Sequence, residues 1–261
     1  MTTSLQQGFD LTGWGVLVTG GTMGVGRGIA LRFLEAGANV VVTARNQPDE
    51  PVSVDDRTAT FISCDVRDPE QVDALVAAAV STLGRLDVVV NNAGGSPAAD
   101  AATASPRFSA AIIALNLTAP LLVAQAANKV MQAQDGGGSI VNIGSVSAVR
   151  PSPGTAAYGA AKAGLRSLTQ SLAVEWAPQV RVNLVTGGLI ETEQSHLHYG
   201  DEAGVAAVAA TVPLGRLATP TDIADACVFL ASPLASYVSG ADLLVHGGGE
   251  RPAFLAAANP D

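Results

Sequence analysis

Short apolar runs alternate with longer stretches of helical periodicity along nearly the whole chain. Val16–Thr19, Val40–Thr43, Thr60–Ile62, Val88–Val90, Ile140–Ile143, Val180–Val185 and Leu243–Val245 are continuous, β-branched and bounded by Gly, Asn or Asp. Strands with one solvated face would alternate; continuous runs of this kind predict strands covered on both sides. Between them, Gly26–Glu35, Glu70–Thr82, a long stretch from about Arg107 to Gln134, Ala156–Trp176 and Asp222–Ala231 carry the helical pattern. Strand–helix alternation of this kind predicts an α/β fold, a doubly wound parallel sheet of about seven strands with right-handed crossovers and helices on both faces. The stretch Asn46–Ala59, with its prolines and acidic residues, predicts a short surface connection. No composition break or internal repeat divides the chain, so one domain over residues 1–261 is expected.

Composition narrows the class. Hydrophobic residues make up 48% of the chain and charged residues 14%, which excludes a disordered protein. A formal net charge of −9 argues against binding to a nucleic-acid backbone, although a helix N-terminus can still hold a phosphate locally. From Phe108 to Asn128 no charge appears, a length that could span a bilayer. Asn116, Pro120, Gln125 and Asn128 interrupt it and much of the remainder is alanine, so it predicts a buried core or interface helix, with no membrane partner. Cys64 and Cys227 share no CxxC spacing and read as small buried hydrophobes in a reducing compartment. His196 and His198 stand together and His246 apart, without a matched carboxylate pattern, so no metal site is expected. The N-terminus shows no basic segment followed by an apolar one, and a cytoplasmic location is expected.

Candidate chemistry begins at the first strand. Thr19-Gly20-Gly21-Thr22-Met23-Gly24-Val25-Gly26 lies between that strand and the first helix. Glycines there permit a tight turn and a close approach to a pyrophosphate resting on the helix N-terminus, the Rossmann-type arrangement. The absence of GK[ST] excludes a P-loop. After the second strand an acidic residue would bond the ribose hydroxyls and repel a 2′-phosphate; here Ala44-Arg45 leaves room for the phosphate and offers it a cation. NADP is therefore expected, with NAD the alternative. A second feature is Tyr158-Gly159-Ala160-Ala161-Lys162, which sets a phenol and an ammonium one helical turn apart. A phenol with a pKa of about 10 is a poor acid or base near neutrality, and a neighbouring ammonium favours its ionised form. Alone, the pair usually reads as a half-buried ring beside a solvated charge.

Further motifs stand in register with these two. Asp65 follows the third strand, Asn91-Asn92-Ala93-Gly94 the fourth, Asn116 falls within the long helix, and Ser145 ends the fifth strand thirteen residues before Tyr158. Together they resemble the short-chain dehydrogenase/reductases, in their shorter single-domain branch, over nearly the whole chain. The resemblance implies an NAD(P)-dependent oxidoreductase that moves a hydride between a nicotinamide and a secondary alcohol or ketone. It implies that Tyr158 is the general acid/base, that Lys162 lowers its pKa and bonds the nicotinamide ribose, that Ser145 holds the substrate oxygen, and that Asn116 supports a water leading from Lys162 to solvent. Gly20, Thr22, Met23, Gly24, Val25 and Gly26 would take the pyrophosphate side, Arg45 the 2′-phosphate, Asp65 and Val66 the adenine, and Asn91, Ala93 and Gly94 the adenosine side. Gly188, Ile190 and Thr192 would meet the nicotinamide end.

Two departures from that family's pattern are visible. Gly187 stands where a proline is usual, which leaves the loop less restricted in φ, and His246 stands where an Asp is common. Substrate choice is expected in the segment from about 188 to 219 and in the tail 246–261. His196, His198, Tyr199 and the apolar run Pro252–Ala258 are the candidates for facing substrate or packing on a neighbouring subunit. An apolar, steroid- or lipid-like alcohol or ketone is the expected substrate. A 3-oxoacyl thioester reductase and a non-catalytic dinucleotide sensor are the alternatives, and a homotetramer or homodimer is the expected assembly.

Overall fold

Strands β1 (Gly15–Thr19), β2 (Asn39–Ala44), β5 (Thr60–Ser63), β6 (Val88–Asn91), β7 (Gly138–Ser145), β8 (Val180–Gly187) and β9 (Asp242–Val245) form one sheet in the computed structural model, which describes residues 8–195 and 199–258. Their order is β5-β2-β1-β6-β7-β8-β9 and every pairing is parallel. The chain winds outward from β1 to β5, then returns to lay β6 on the other side of β1. That reversal opens a crevice at the carboxyl ends of β1 and β6, where doubly wound sheets bind ligands.

Period-two side-chain alternation builds two apolar layers from the same strands. Val16 and Val18 of β1 enter one layer with α1 (Gly24–Glu35) and α6 (Pro220–Ala231). Leu17 enters the other with α2 (Pro69–Leu83), α3 (Pro106–Ala133) and α4 (Ala156–Glu175). Both expected cysteine burials hold: Cys227 lies in the first layer and Cys64 in the second.

Besides α1, which starts at Gly24 rather than Gly26, three helices begin slightly earlier than the apolar periodicity predicts. Pro69, Pro106 and Pro220 each occupy the first turn, where a missing N–H costs nothing, and Asp68, Ser105 and Thr219 cap them through their side chains. Helix α3 is long and apolar enough to cross a membrane by length and composition, with 44% of its most apolar window buried. Its inner side, including Val123, Ala124, Ala127 and Met131, packs into the second layer, as a core helix does.

The stretch Asn46–Ala59 is more than a surface connection. It folds into an antiparallel hairpin of β3 (Ser53–Val54) and β4 (Arg57–Thr58), and Val52 before it is buried in the first layer. Helix α5 (Glu202–Thr211) was not foreseen either: none of its residues is buried, so its apolar positions mark no core-facing stripe. It starts on Asp201, whose side chain accepts the Gly204 N–H at 3.0 Å. A last short helix, α7 (Ala253–Ala257), closes the described tail.

Candidate active site

The crevice at the strand ends is a cleft of about 520 Å³. One end of it is the turn after β1, where Gly20, Thr22, Met23, Gly24, Val25 and Gly26 all line it. A Cβ on Gly26 would lie 2.0 Å from the Gly20 carbonyl oxygen and 2.4 Å from Asn92 Nδ2, so this helix start admits no side chain. Asn92, which the motif contains but residue-level reading left without a role, is the tie. Its Nδ2 donates to the carbonyls of Thr19 and Gly20, both at 3.0 Å, while Asn92 and Ala93 N–H groups donate to Thr19 Oγ1.

Asn91 corrects an expectation. It does not line the cleft; its amide is buried and donates to Pro120 O at 3.1 Å and Asn142 Oδ1 at 2.9 Å, and Asn142 in turn donates to Thr169 Oγ1. The cause is strand parity: Asn91 shares the face of Val89, which points into the α3 layer, and the next residue is the one that turns to the cleft. Ala93 and Gly94 line the cleft as expected.

Beside the ends of β2 and β5, Arg45, Asp65 and Val66 line the wall together with Thr43 and Arg67. Thr43 Oγ1 is buried without a hydrogen-bond partner among the described residues. Arg67, unforeseen although only two residues beyond Asp65, donates from Nε to the Asp65 carboxylate at 2.9 Å. That guanidinium holds the Asp65 carboxyl down to about 2.

At the opposite end, β7 delivers Ser145, and its Oγ accepts the Ser147 N–H at 3.2 Å, opening a 3₁₀ turn over Val146–Ala148. Hydroxyls of Ser147, Ser152 and Thr155 form a chain that fixes the following loop. Helix α4 then presses onto this loop at Gly159, where a Cβ would lie 2.8 Å from the Ser147 carbonyl oxygen. The close approach sets Tyr158 beside Ser145 at the wall of the cleft. One turn on, Lys162 is 3% exposed, and its Nζ donates to Ile143 O at 2.7 Å and stands 5.7 Å from the centre of the Tyr158 ring.

The electrostatics differ from expectation. Burial raises the Tyr158 phenol above its ordinary value, and the neighbouring Ser145 side chain only partly offsets this. Lys162 is itself desolvated, its ammonium pushed down to about 8, and its Nζ donates to a backbone carbonyl. A pH dependence follows. Unfolded, a lysine keeps its proton to about pH 10.4. Between about 8 and 10 the folded chain releases a proton the unfolded chain retains, so this group makes stability rise with pH, by up to about 2 kcal/mol. Tyr158, raised in the fold, acts in the opposite sense only above about pH 10. Cys64 and Cys227, whose thiols burial raises, act in the opposite sense over the same range. Denaturant midpoints measured from pH 8 to 10 should therefore fall more steeply with pH in Lys162→Met than in the cofactor-free parent; equal slopes in the two chains would contradict the burial of a titrating ammonium.

Asn116 stands behind the cleft wall, fully buried, in a π-helical turn over Ala114–Thr118 that interrupts α3. Its Nδ2 donates to Ile112 O and Gly95 O and its Oδ1 accepts the Gly95 N–H, all at 2.9 Å. The side chain thus uses the carbonyl four residues back, which a regular helix would give to the backbone, and ties α3 to the loop after β6. Gly188, Ile190 and Thr192 line the cleft. Gly187 does not loosen the chain there: it ends β8 in register between Ser145 and Val245, and the Gly188 N–H donates to Val245 O. His196 and His198 lie outside the described residues. Among the described residues no cluster of His, Cys, Asp and Glu could hold a metal.

Residues 20–250 match the family model described as Enoyl-(Acyl carrier protein) reductase. The chain is 36% identical over 243 residues to L-rhamnose 1-dehydrogenase (NAD(P)(+)) of Azotobacter vinelandii, covering 89% of this chain and 95% of that one. The family is decided. This chain belongs to the short-chain dehydrogenase/reductases. It is also 35% identical over 239 residues to a 3alpha-hydroxysteroid dehydrogenase of Mediterraneibacter gnavus, covering 88% and 94% of the two chains. The crystal structure of a short-chain type dehydrogenase/reductase from Mycobacterium marinum superposes with a TM-score of 0.87 at 34% identity, covering 95% of this chain and all of that one. As a short-chain dehydrogenase/reductase the protein is an oxidoreductase of alcohols that works with a nicotinamide cofactor. The cleft fits such a dinucleotide: a glycine turn too tight for any Cβ at Gly26, an unpartnered Thr43 hydroxyl toward one end, and the Ser145–Tyr158–Lys162 group at the other.

Proposed function

We propose that the protein is an NADP(H)-dependent oxidoreductase that interconverts an apolar secondary alcohol and its ketone in the cytoplasm. The observation that carries this reading is that one cleft holds the glycine turn after β1, Arg45 at the end of β2, and Ser145, Tyr158 and Lys162 together. When bound, the nicotinamide supplies or accepts the hydride. The chain does the rest. Tyr158 gives its proton to the carbonyl oxygen, or takes it from the hydroxyl, and Ser145 bonds the same oxygen and polarises it. Lys162 places a cation beneath the ring and binds the cofactor ribose, and Asn116 holds the loop after β6 so that a water can reach Lys162.

Arg45 is proposed as the 2′-phosphate partner, and Asp65 and Val66 as the adenine wall. The other guanidinium on this wall, Arg67, is already paired with Asp65, whereas Arg45 is exposed. Arg45→Ala is expected to weaken NADPH binding by about 10- to 100-fold, the loss of a charge-assisted bond, and to leave NADH within about twofold. Fluorescence titration with both dinucleotides reads this, and unchanged NADPH affinity would remove the NADP assignment.

Support for an apolar substrate comes from the segments around the Ser145 end. Arg150 NH2 pairs with Glu250 at 2.8 Å and Arg251 N–H donates to Thr211 O at 2.9 Å, which ties the loop after β7, the tail and α5 together. Exposed Val149, Phe254 and Leu255 ride on these tied segments. The test is a panel of steroid and lipid-like alcohols and ketones, 3-oxoacyl thioesters, and sugars, followed by nicotinamide absorbance. Turnover of sugars alone would exclude the apolar assignment while keeping the reaction. Silence across the panel with intact dinucleotide binding would favour a sensor. A homotetramer or homodimer is proposed on the partly uncovered apolar sides of α3 and α4, where Ile113 and Val174 are exposed; light scattering of the purified chain checks it.

A further inference from the structure

The first turn of α1 is held from a distant part of the chain. Met23, at its N-cap, supplies no side-chain hydrogen bond, and no acidic residue lies in the first turn. Instead the Gly24 N–H donates to the Glu193 carboxylate at 2.8 Å, across 169 residues of sequence. Gly24 lines the cleft at its phosphate end, and Thr192 and Gln194, the neighbours of Glu193, line it as well.

Glu193 is carried on a built turn. The Thr192 N–H donates to Ser195 Oγ at 2.7 Å, the Ser195 N–H to Thr192 O at 3.0 Å, and the Gln194 N–H to Thr192 Oγ1 at 3.3 Å. Behind the turn, the Glu191 N–H donates to Ala218 O, and Ile190 bridges to Ala218. The carboxylate is exposed and free to leave, while its backbone is anchored beside the cleft.

We propose that Glu193 is an intramolecular latch on the cofactor's phosphate site, a reading that rests on the dinucleotide assignment above. A carboxylate and a phosphate want the same donor: an unsatisfied N–H at the positive end of a helix. Both cannot hold Gly24 at once, and two anions cannot share the turn without repulsion. Dinucleotide binding therefore displaces Glu193 and, because Thr192 and Ser195 belong to the same hydrogen-bonded turn, shifts the start of the segment that leads to α5. Cofactor entry and the geometry of the substrate-side segment are thereby coupled.

The test titrates the full chain, Glu193→Ala and Glu193→Gln with NADPH and NADH by fluorescence, with association rates by stopped flow and thermal unfolding to confirm that each variant is folded. Removing the competing anion should tighten both dinucleotides about three- to tenfold in Glu193→Ala, with faster association and a smaller gain in Glu193→Gln. Unchanged or weaker binding in the two variants, with the parent chain binding normally, overturns the latch and leaves the dinucleotide assignment standing. Failure of the parent chain and both variants to bind either dinucleotide overturns the assignment and the latch together.

Discussion

Tyr158→Phe is expected to lower turnover by about 10²- to 10⁴-fold, the usual contribution of a positioned acid or base, while dinucleotide titration still shows binding. The substitution removes one hydroxyl from a ring that helix α4 holds against the Ser145 loop through the close approach at Gly159. Ring, packing and backbone all remain, so a loss of rate with binding retained isolates the proton. The direction of catalysis carries a second expectation. Burial keeps the phenol protonated at neutral pH, the form that gives a proton to a ketone. Ketone reduction should therefore run well near neutrality, and alcohol oxidation should gain as the medium becomes alkaline. Steady-state rates in both directions across pH check this. Full turnover in Tyr158→Phe would show that the proton travels by another route.

Gly26→Ala is expected to damage fold and cofactor site together. The added methyl would meet a backbone carbonyl at 2.0 Å and the Asn92 amide at 2.4 Å. Neither neighbour can withdraw cheaply: the carbonyl belongs to the turn itself, and Asn92 is committed to Thr19 and Gly20. Over-packing of this kind costs about 3 kcal/mol. In a chain of this length that lowers the melting temperature by about 6–12 °C. Dinucleotide binding should become undetectable even at temperatures where the variant is folded, because relief of the clash moves the backbone of the turn that lines the cleft. A variant with normal melting and normal affinity would mean that the turn has room the structure does not show.

The contrast between Asn91 and Asn92 shows where sequence reading stops. Both stand in one motif at the end of β6, and residue type alone cannot say which faces the cleft. Strand parity could have: Val89 and Asn91 share a face, and that face meets α3. Arg67 is a similar case, a charge two residues from Asp65 whose pairing needed only the local turn. The Glu193–Gly24 contact is of another kind, because nothing local links positions 169 residues apart. Helix starts lay between these extremes; Asp68-Pro69, Ser105-Pro106 and Thr219-Pro220 announce themselves through capping chemistry rather than through apolar periodicity.

The sequence by itself determined the parallel sheet, because strands covered on both faces must be continuous apolar runs, and it determined the reaction class, because Ser145 follows a predicted strand while Tyr158 and Lys162 share one face of a predicted helix, in register with the family's other motifs. Tertiary structure alone decided the state of that chemistry. Packing desolvates Lys162 and sets its Nζ on Ile143 O, and burial of Tyr158 itself raises the phenol. Spacing along a helix fixes which side chains can meet, whereas desolvation depends on everything packed around them, and that is written in no local stretch of the chain.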